Sequence, residues 1–215
     1  LTDEALLDTD LLLKTVSYRL AGDTFNLLEE RGLTPKVLGA ARFMLRTLVG
    51  RGRKISDKAA AAAELTSVEP LLLEVEPTDL ETALSAEIEI LASSGGHAVD
   101  GGESQLLAML ICRSSRILLT GDKRAIRGLA QMLSPLPPNR IVCLEQLLTS
   151  LADAKGPLAI RGAVCSEPDV DKAVTAACSC SAPGDPDPRE GLASYTEDLR
   201  RAAPSLLSEG TGLPA

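Results

Sequence analysis

The 215-residue chain has no Trp, two Phe and two Tyr, so aromatic residues make up 2% of it. That excludes recognition of nucleic-acid bases chiefly by stacking on aromatic platforms. The core must instead be built from Leu, Ala, Val and Ile. Histidine is nearly absent. The single His97 excludes a multi-histidine metal site, and its place after Ser93-Ser94-Gly95-Gly96 suggests an exposed loop. The five cysteines, Cys112, Cys143, Cys165, Cys178 and Cys180, form no zinc-type pair of spacings. No secretory signal and no membrane-length apolar run is evident, so free thiols in a reducing cytoplasm, with no membrane contact, are the expectation. Positive charge is also short: 22 Lys and Arg against 30 Asp and Glu leave a net charge of −8. Such a protein does not coat nucleic acid non-specifically. Contact with a polyanion would need a local basic patch or bridging metal ions, and an acidic balance suits a site that concentrates divalent cations.

What is present is a 45% hydrophobic content arranged in alternating strand and helix signals. Ala5-Leu6-Leu7 before Asp8 reads as a buried strand with an acid at its carboxyl end, and Asp10 follows two residues later. Helical periodicity runs in part from Leu13 to Arg31, and Gly32 fits a stop. Thr34-Pro35 is expected to open another helix, with Pro at its first position and Val37, Leu38, Ala41, Leu45 and Leu48 on its apolar face. Arg42 and Arg46 share a different face of it. Arg51, Arg53 and Lys54 follow in a Gly-containing loop and complete the most basic run of the chain. Asp57 to Thr66 is alanine-rich and helical by propensity. Pro70 to Val75, short and bounded by prolines, reads as a strand or an extended link. Thr78 and Glu81 form a capping-box pattern for a helix whose apolar positions include Leu80, Leu84, Ile88 and Leu91.

The most informative stretch is Asp100-Gly101-Gly102-Glu103-Ser104-Gln105-Leu106-Leu107-Ala108-Met109-Leu110-Ile111. It reads as a tight turn running into a helix. Leu106, Leu107, Leu110 and Ile111 mark the buried face, and Glu103 lies on that face in the first turn. An acid there is favoured by the helix dipole but costs free energy to bury without a cation or donor. Arg116 to Thr120 is a second buried-strand pattern. It ends in Gly121-Asp122 and leads into a helix from Lys123 to about Leu133. Pro135, Pro137 and Pro138 form a stiff loop, Arg140 to Leu144 a last strand, and a helix runs on through Leu151. Alternation of this kind predicts an α/β fold of three layers, α/β/α, with a central, mostly parallel sheet. Ligands in such sheets bind beyond the carboxyl ends of the strands, where Asp8 and Asp122 fall and which Glu103 can reach.

Composition changes near Gly156. Residues 1–152 are read as one α/β domain and 153–215 as a C-terminal extension. Cys178 to Arg189 is expected to be loop or disorder, flanked by amphipathic pieces at Val170 to Ala177 and Leu192 to Leu207. These pieces are candidates to pack on the domain, on a partner or on a second copy of the chain.

LLDTDLLLK, DGGESQLLAMLI and ILLTGDKRAI, in that order, resemble the three acidic motifs of PIN-domain ribonucleases, over roughly Leu1 to Ala152. The resemblance implies a carboxylate cluster holding Mg2+ or Mn2+ and hydrolysis of phosphodiester bonds, usually in RNA. It also implies an antitoxin or other protein partner, since many family members are toxins of toxin–antitoxin pairs; a homodimer is a further candidate. Carried over by motif, Asp8, Glu103 and Asp122 are the catalytic and metal-binding acids. Asp10, Thr120 and Asp100 support them. Lys123, Arg124 and Arg127, joined by Arg42 and Arg46, are candidates to hold the RNA backbone. The chain departs from the family in one respect. Family members usually carry a further glutamate on an early helix, but here Val37-Leu38-Gly39-Ala40-Ala41-Arg42 has no acid, and Glu29, Glu30 and Glu64 stand outside the motif position.

The chemistry is coherent without the family. Carboxylates suit hard cations, a held metal activates water and neutralises charge on a phosphate, and clustered acids raise one another's pKa values until a cation joins them. Two other readings compete. A degenerate PIN-like scaffold would bind RNA or a protein without cleaving. Asp8-Thr9-Asp10 and Thr120 also resemble motifs of haloacid-dehalogenase-like phosphatases, although Asp169 and Asp171 match that family's late acidic pair poorly.

Overall fold

The computed structural model describes residues 2–132 and 136–214. Five strands form one all-parallel sheet in the order β3-β2-β1-β4-β5, with β1 at Thr2–Leu7, β2 at Thr34–Leu38, β3 at Leu73–Val75, β4 at Ser115–Thr120 and β5 at Ile141–Cys143. Helices α1 (Thr9–Ser17), α2 (Ala21–Glu30), α3 (Ala41–Arg51), α4 (Lys58–Val68), α8 (Leu144–Lys155), α9 (Pro157–Cys165) and α10 (Lys172–Ala177) contribute to the core on one face. Helices α5 (Asp79–Gly95), α6 (Gly101–Cys112) and α7 (Lys123–Gln131) cover the other. Helix α11 (Pro188–Ala202) reaches both cores, through Leu192 on one side and Leu199 on the other.

The three layers follow from the strand alternation. Ala5 and Leu7 of β1, Ile117 and Leu119 of β4, and Val142 of β5 enter the first core. Leu6, Leu118, Ile141 and Cys143 enter the second. Central strands covered on both faces must be apolar at nearly every position, which is why they stand out as short continuous runs.

Three expectations are corrected. Thr34 to Leu38 is a strand, not the start of a helix: Glu4 pairs with Thr34, and Leu6 with Lys36. Pro35 is tolerated because pairing with β3 begins only at Lys36, so the missing N–H lies where that side of β2 is still unpaired. The helix starts later, at Ala41. The buried face of α5 is Glu81, Ser85, Ile88 and Ala92, whereas Leu80 and Leu91 are exposed. Glu81 is drawn inward by Arg113, whose guanidinium donates to both carboxylate oxygens at 2.6 and 2.8 Å, and by the Thr78 amide. Finally, the cysteines are not all free thiols. Cys165 and Cys180 are joined in a disulfide, while Cys112, Cys143 and Cys178 are free. Of the expected proline loop, Pro135 lies outside the described residues, as does Leu133 at the expected end of α7.

The capping box of α5 is present, and residues 178–187 form a loop whose carbonyls at Cys178 and Ser179 accept from Arg161. No helix among the described residues is long and apolar enough to cross a membrane.

The extension packs back on the sheet. Ile141 and Leu207 form an isolated parallel bridge, with the Ile141 amide donating to the Leu206 carbonyl and the Ser208 amide to that of Ile141. This covers the outer edge of β5, where unpaired backbone groups would otherwise face solvent. The buried Gln146 pins the same segment through the Ser208 and Gly210 carbonyls. Leu199, Leu206 and Leu207 are buried in one cluster with Leu6 and Leu118. Leu199→Ala is therefore expected to destabilise the whole protein by about 2–5 kcal/mol, in one cooperative urea transition. Two separate transitions, with only the minor one shifted, would show the extension to be an independent unit.

Candidate carboxylate site

Parallel pairing brings the first two acids together. Leu7 is in register with Leu119, so the Asp8 amide donates to the Leu119 carbonyl at 2.9 Å. Both strands therefore end at the same height. Asp8 is the N-cap residue of α1 by backbone position, but its side chain makes no capping bond. Its carboxylate instead accepts from the Thr120 hydroxyl at 3.0 Å, while the same hydroxyl accepts from the Asp122 amide at 3.1 Å. Thr120 thus ties the ends of β1 and β4 and orients Asp8. Glu103 arrives from the opposite core face, on the first turn of α6. Asp100 and Glu103 form a reciprocal capping box, each side chain accepting from the other's amide at 2.9 Å. The capping role and the site position are compatible, because one oxygen of each carboxylate is left over.

These acids line one pocket of about 500 Å³. Asp8, Asp10, Asp100, Glu103 and Asp122 form its acidic wall, and Leu38, Ala40, Ala41, Met44 and Leu48 its apolar wall. The residues at the start of α3 that face it are alanines, and among the described residues no acid takes the place of the missing early-helix glutamate in this lining. Glu64 is committed elsewhere, accepting from the Gly22 amide at 2.9 Å.

Counter-charges divide the five acids. Asp10 is paired with Lys14 at 2.7 Å. Asp122 caps α7 through the Arg124 and Ala125 amides, and the Arg124 guanidinium closes on it at 3.0 Å. Burial alone would raise the Asp122 carboxyl, but Arg124 and these amides hold it below its ordinary value. Asp8, Asp100 and Glu103 have no cationic partner among the described residues, and of these Asp100 is exposed. Burial, followed by repulsion from Asp10, raises Asp8 to about 6 despite the Thr120 bond. Burial raises Glu103 to about 8 against the Asp100 amide, with Asp100, Asp8 and Asp122 adding repulsion.

The remaining candidates are distributed as follows. Lys123, Arg124 and Arg127 line a second pocket adjoining the first. Lys123 is paired with the buried Glu145 at 2.6 Å, and Arg127 with Asp198 at 3.0 Å. Arg42 and Arg46 do share a face, but it meets Glu74 and Glu69, at 3.0 and 2.5 Å, and lines neither pocket. His97 is half-buried in its loop. Asp169 and Asp171 lie between α9 and α10 and follow no strand. Sequence reasoning missed Lys14 and Asp171. Lys14 sits between Asp10 and Asp171, the latter at 2.9 Å, and burial works against its charge until both acids raise its pKa. The four-residue spacing from Asp10 was a usable signal for Lys14.

The donor set suits a hard divalent cation: carboxylate oxygens, with Asp8, Asp100 and Glu103 lacking an ion pair among the described residues. Among the described residues, however, no three His, Cys, Asp or Glu groups already stand at ligand spacing. Each of these acids already has an internal partner: Thr120 for Asp8, the Asp100 amide for Glu103 and Arg124 for Asp122. Comparison of the chain with protein-family models, curated proteins and solved structures returns no match.

The two raised acids have a consequence for stability. An acid whose folded-state pKa lies above its ordinary value binds more protons folded than unfolded between the two values, so stability falls as pH rises through that interval. The intervals are 3.8 to about 6 for Asp8 and 4.5 to about 8 for Glu103. Without divalent cations the protein is expected to lose stability between roughly pH 4 and pH 8 from these groups. Asp8→Asn should flatten the profile and raise the melting temperature at pH 8, by on the order of 2 kcal/mol or about 5 °C. A lower melting temperature for Asp8→Asn at pH 8 would contradict this assignment.

Proposed function

We propose that the chain is a metal-dependent nuclease of PIN type that hydrolyses RNA phosphodiester bonds, with Asp8, Glu103 and Asp122 holding Mg2+ or Mn2+. One observation carries the reading: two carboxylates without counter-charge, Asp8 and Glu103, share a pocket at the carboxyl ends of β1 and β4 with three further acids. Folding has collected like charges there at a cost in stability. A bound divalent cation would remove that cost and supply Lewis-acid activation of water and of the phosphate.

The protein groups have separable roles. Asp8, nearly buried and oriented by Thr120, offers its carboxylate from the strand end. Glu103 offers an oxygen from the helix start while Asp100 keeps its turn in place. Asp122 completes the set when Arg124 swings from it to a substrate phosphate. Arg124 is largely exposed, so little packing opposes that movement. Asp10 is held by Lys14 and contributes negative potential. The apolar residues Leu38, Ala40, Ala41, Met44 and Leu48 complete the lining of the pocket.

A second reading has its own support. The alanines at the start of α3 and the lack of a ready three-carboxylate group fit a scaffold that binds RNA or a protein partner without cutting. Cation titration separates the two. Millimolar Mn2+ or Mg2+ is expected to raise the melting temperature of the parent, since a ligand binding only the folded state must stabilise it. Asp8→Asn and Glu103→Gln should lose most of that rise together with metal-dependent RNA cleavage, at least about 100-fold for an electrostatic role. No rise and no cleavage in the parent favour the scaffold, and cleavage by Asp8→Asn at the parental rate overturns the site.

A further inference from the structure

The acid pocket shares Asp10 and Asp122 with a second, more open pocket of about 520 Å³. Its lining carries six cationic side chains, Lys14, Lys54, Lys123, Arg124, Arg127 and Lys172, against three acids. This local positive surplus stands out on a chain of net charge −8. The six are not equivalent. Lys14 and Lys123 converge on Asp171 from 2.9 and 3.6 Å and are tied also to Asp10 and Glu145. Arg124 and Arg127 each close on an acid. Lys54 and Lys172 are exposed and make no ion pair among the described residues.

These two lysines come from distant parts of the chain. Lys54 lies in the loop between α3 and α4, and Lys172 opens α10 in the C-terminal extension. The buried Glu167 fastens one segment to the other, accepting from the Ser56 and Asp57 amides at 2.6 and 2.9 Å. The Cys165–Cys180 disulfide closes the chain segment that carries Glu167, Asp171 and Lys172. The wall is therefore built and held in place, and its two unspent cations face a cavity that opens on the acids.

We propose that this pocket binds the sugar-phosphate backbone of a single-stranded nucleic acid, with Lys54 and Lys172 as its uncommitted phosphate contacts, so that the extension forms part of the substrate site. The assignment rests on the phosphodiester reading of the adjoining acids. A polyanion is the ligand class that replaces missing counter-charges on Lys54 and Lys172. A repeating phosphate chain is the form of it that spans from this pocket to the carboxylates next door. A volume of about 520 Å³ takes in a short stretch of one strand and is too small to enclose a duplex. With so few aromatic residues, recognition runs through phosphates and tolerates sequence.

The test is fluorescence anisotropy of 5′-labelled oligouridylate in EDTA, with oligothymidylate and polyglutamate as parallel probes. EDTA keeps binding separate from hydrolysis and from metal bridging. The parent should bind the oligonucleotides, and the Lys54→Glu, Lys172→Glu double variant should bind them about ten-fold more weakly or worse. Each single change to Ala should lower the slope of log K against log salt by about 0.7, one phosphate contact on a single strand. Arg201→Glu, the same charge change as one of the two lysine substitutions but on the largely exposed end of α11, should change binding little. Preference for RNA or DNA assigns the sugar, and either supports the pocket. Parent-like binding by the double variant, no binding by the parent, or equal capture of polyglutamate overturns it. The two proposals fail separately. Lysine-dependent binding without a Mn2+-induced rise in melting temperature leaves this pocket standing and removes the hydrolytic reading. A Mn2+ effect with lysine-independent binding does the reverse.

Discussion

The parallel pairing of β1 with β4 is the constraint on which the site depends. It sets Leu7 beside Leu119, and so Asp8 beside Thr120, with Asp122 two residues farther on. A slip of one residue would move Leu6 and Leu118 to the wrong core and turn Asp8 away from the strand ends. The two apolar cores that fix the register therefore also fix the acids. Helix α6 packs against β4 and returns its first turn to the same edge, which brings Glu103 into the pocket from the far face of the sheet.

Electrostatics at that edge is unevenly balanced. Most buried or half-buried acids of the chain are matched: Glu81 by Arg113, Glu145 by Lys123, Asp171 by Lys14, Glu167 by two amides and Arg19. Asp8 and Glu103 meet no cation among the described residues, and burial raises the pKa of both. Buried charges without partners are rare in settled structures because they are costly. The two lie in one pocket, beside a second pocket with surplus cations, and acids with perturbed pKa values in a cavity are candidates for a functional site.

Much of the fold was legible in the chain, for identifiable reasons. The central strands are covered on both faces, so Ala5 to Leu7 and Ile117 to Leu119 are continuous apolar runs, and the acids after them lie at the carboxyl ends of the strands. Asp100 to Ile111 was legible because its turn and its helical spacing are both local features. β2 was not: Val37 and Leu38 join Ala41 and Leu45 in an apparent helical stripe, and Pro35 imitates a helix start. Only pairing with β1 settles that segment as a strand. Leu80 and Leu91, among the apolar positions of α5, are exposed, while Glu81 turns inward to Arg113, over thirty residues away along the chain. The same distance effect hid the partners of Arg42 and Arg46, the Lys14–Asp171 contact and the Cys165–Cys180 pairing, none of which spacing along the chain reveals.

The central claim is that the uncompensated pair, Asp8 and Glu103, is a cation site. Anomalous diffraction from a crystal grown with Mn2+ tests it directly. The expected result is one strong peak within coordination distance of carboxylate oxygens from both residues, with Asp122 turned toward it and away from Arg124. No peak in the acid pocket at millimolar Mn2+, or Asp8 and Glu103 still bonded only to Thr120 and the Asp100 amide, would contradict it.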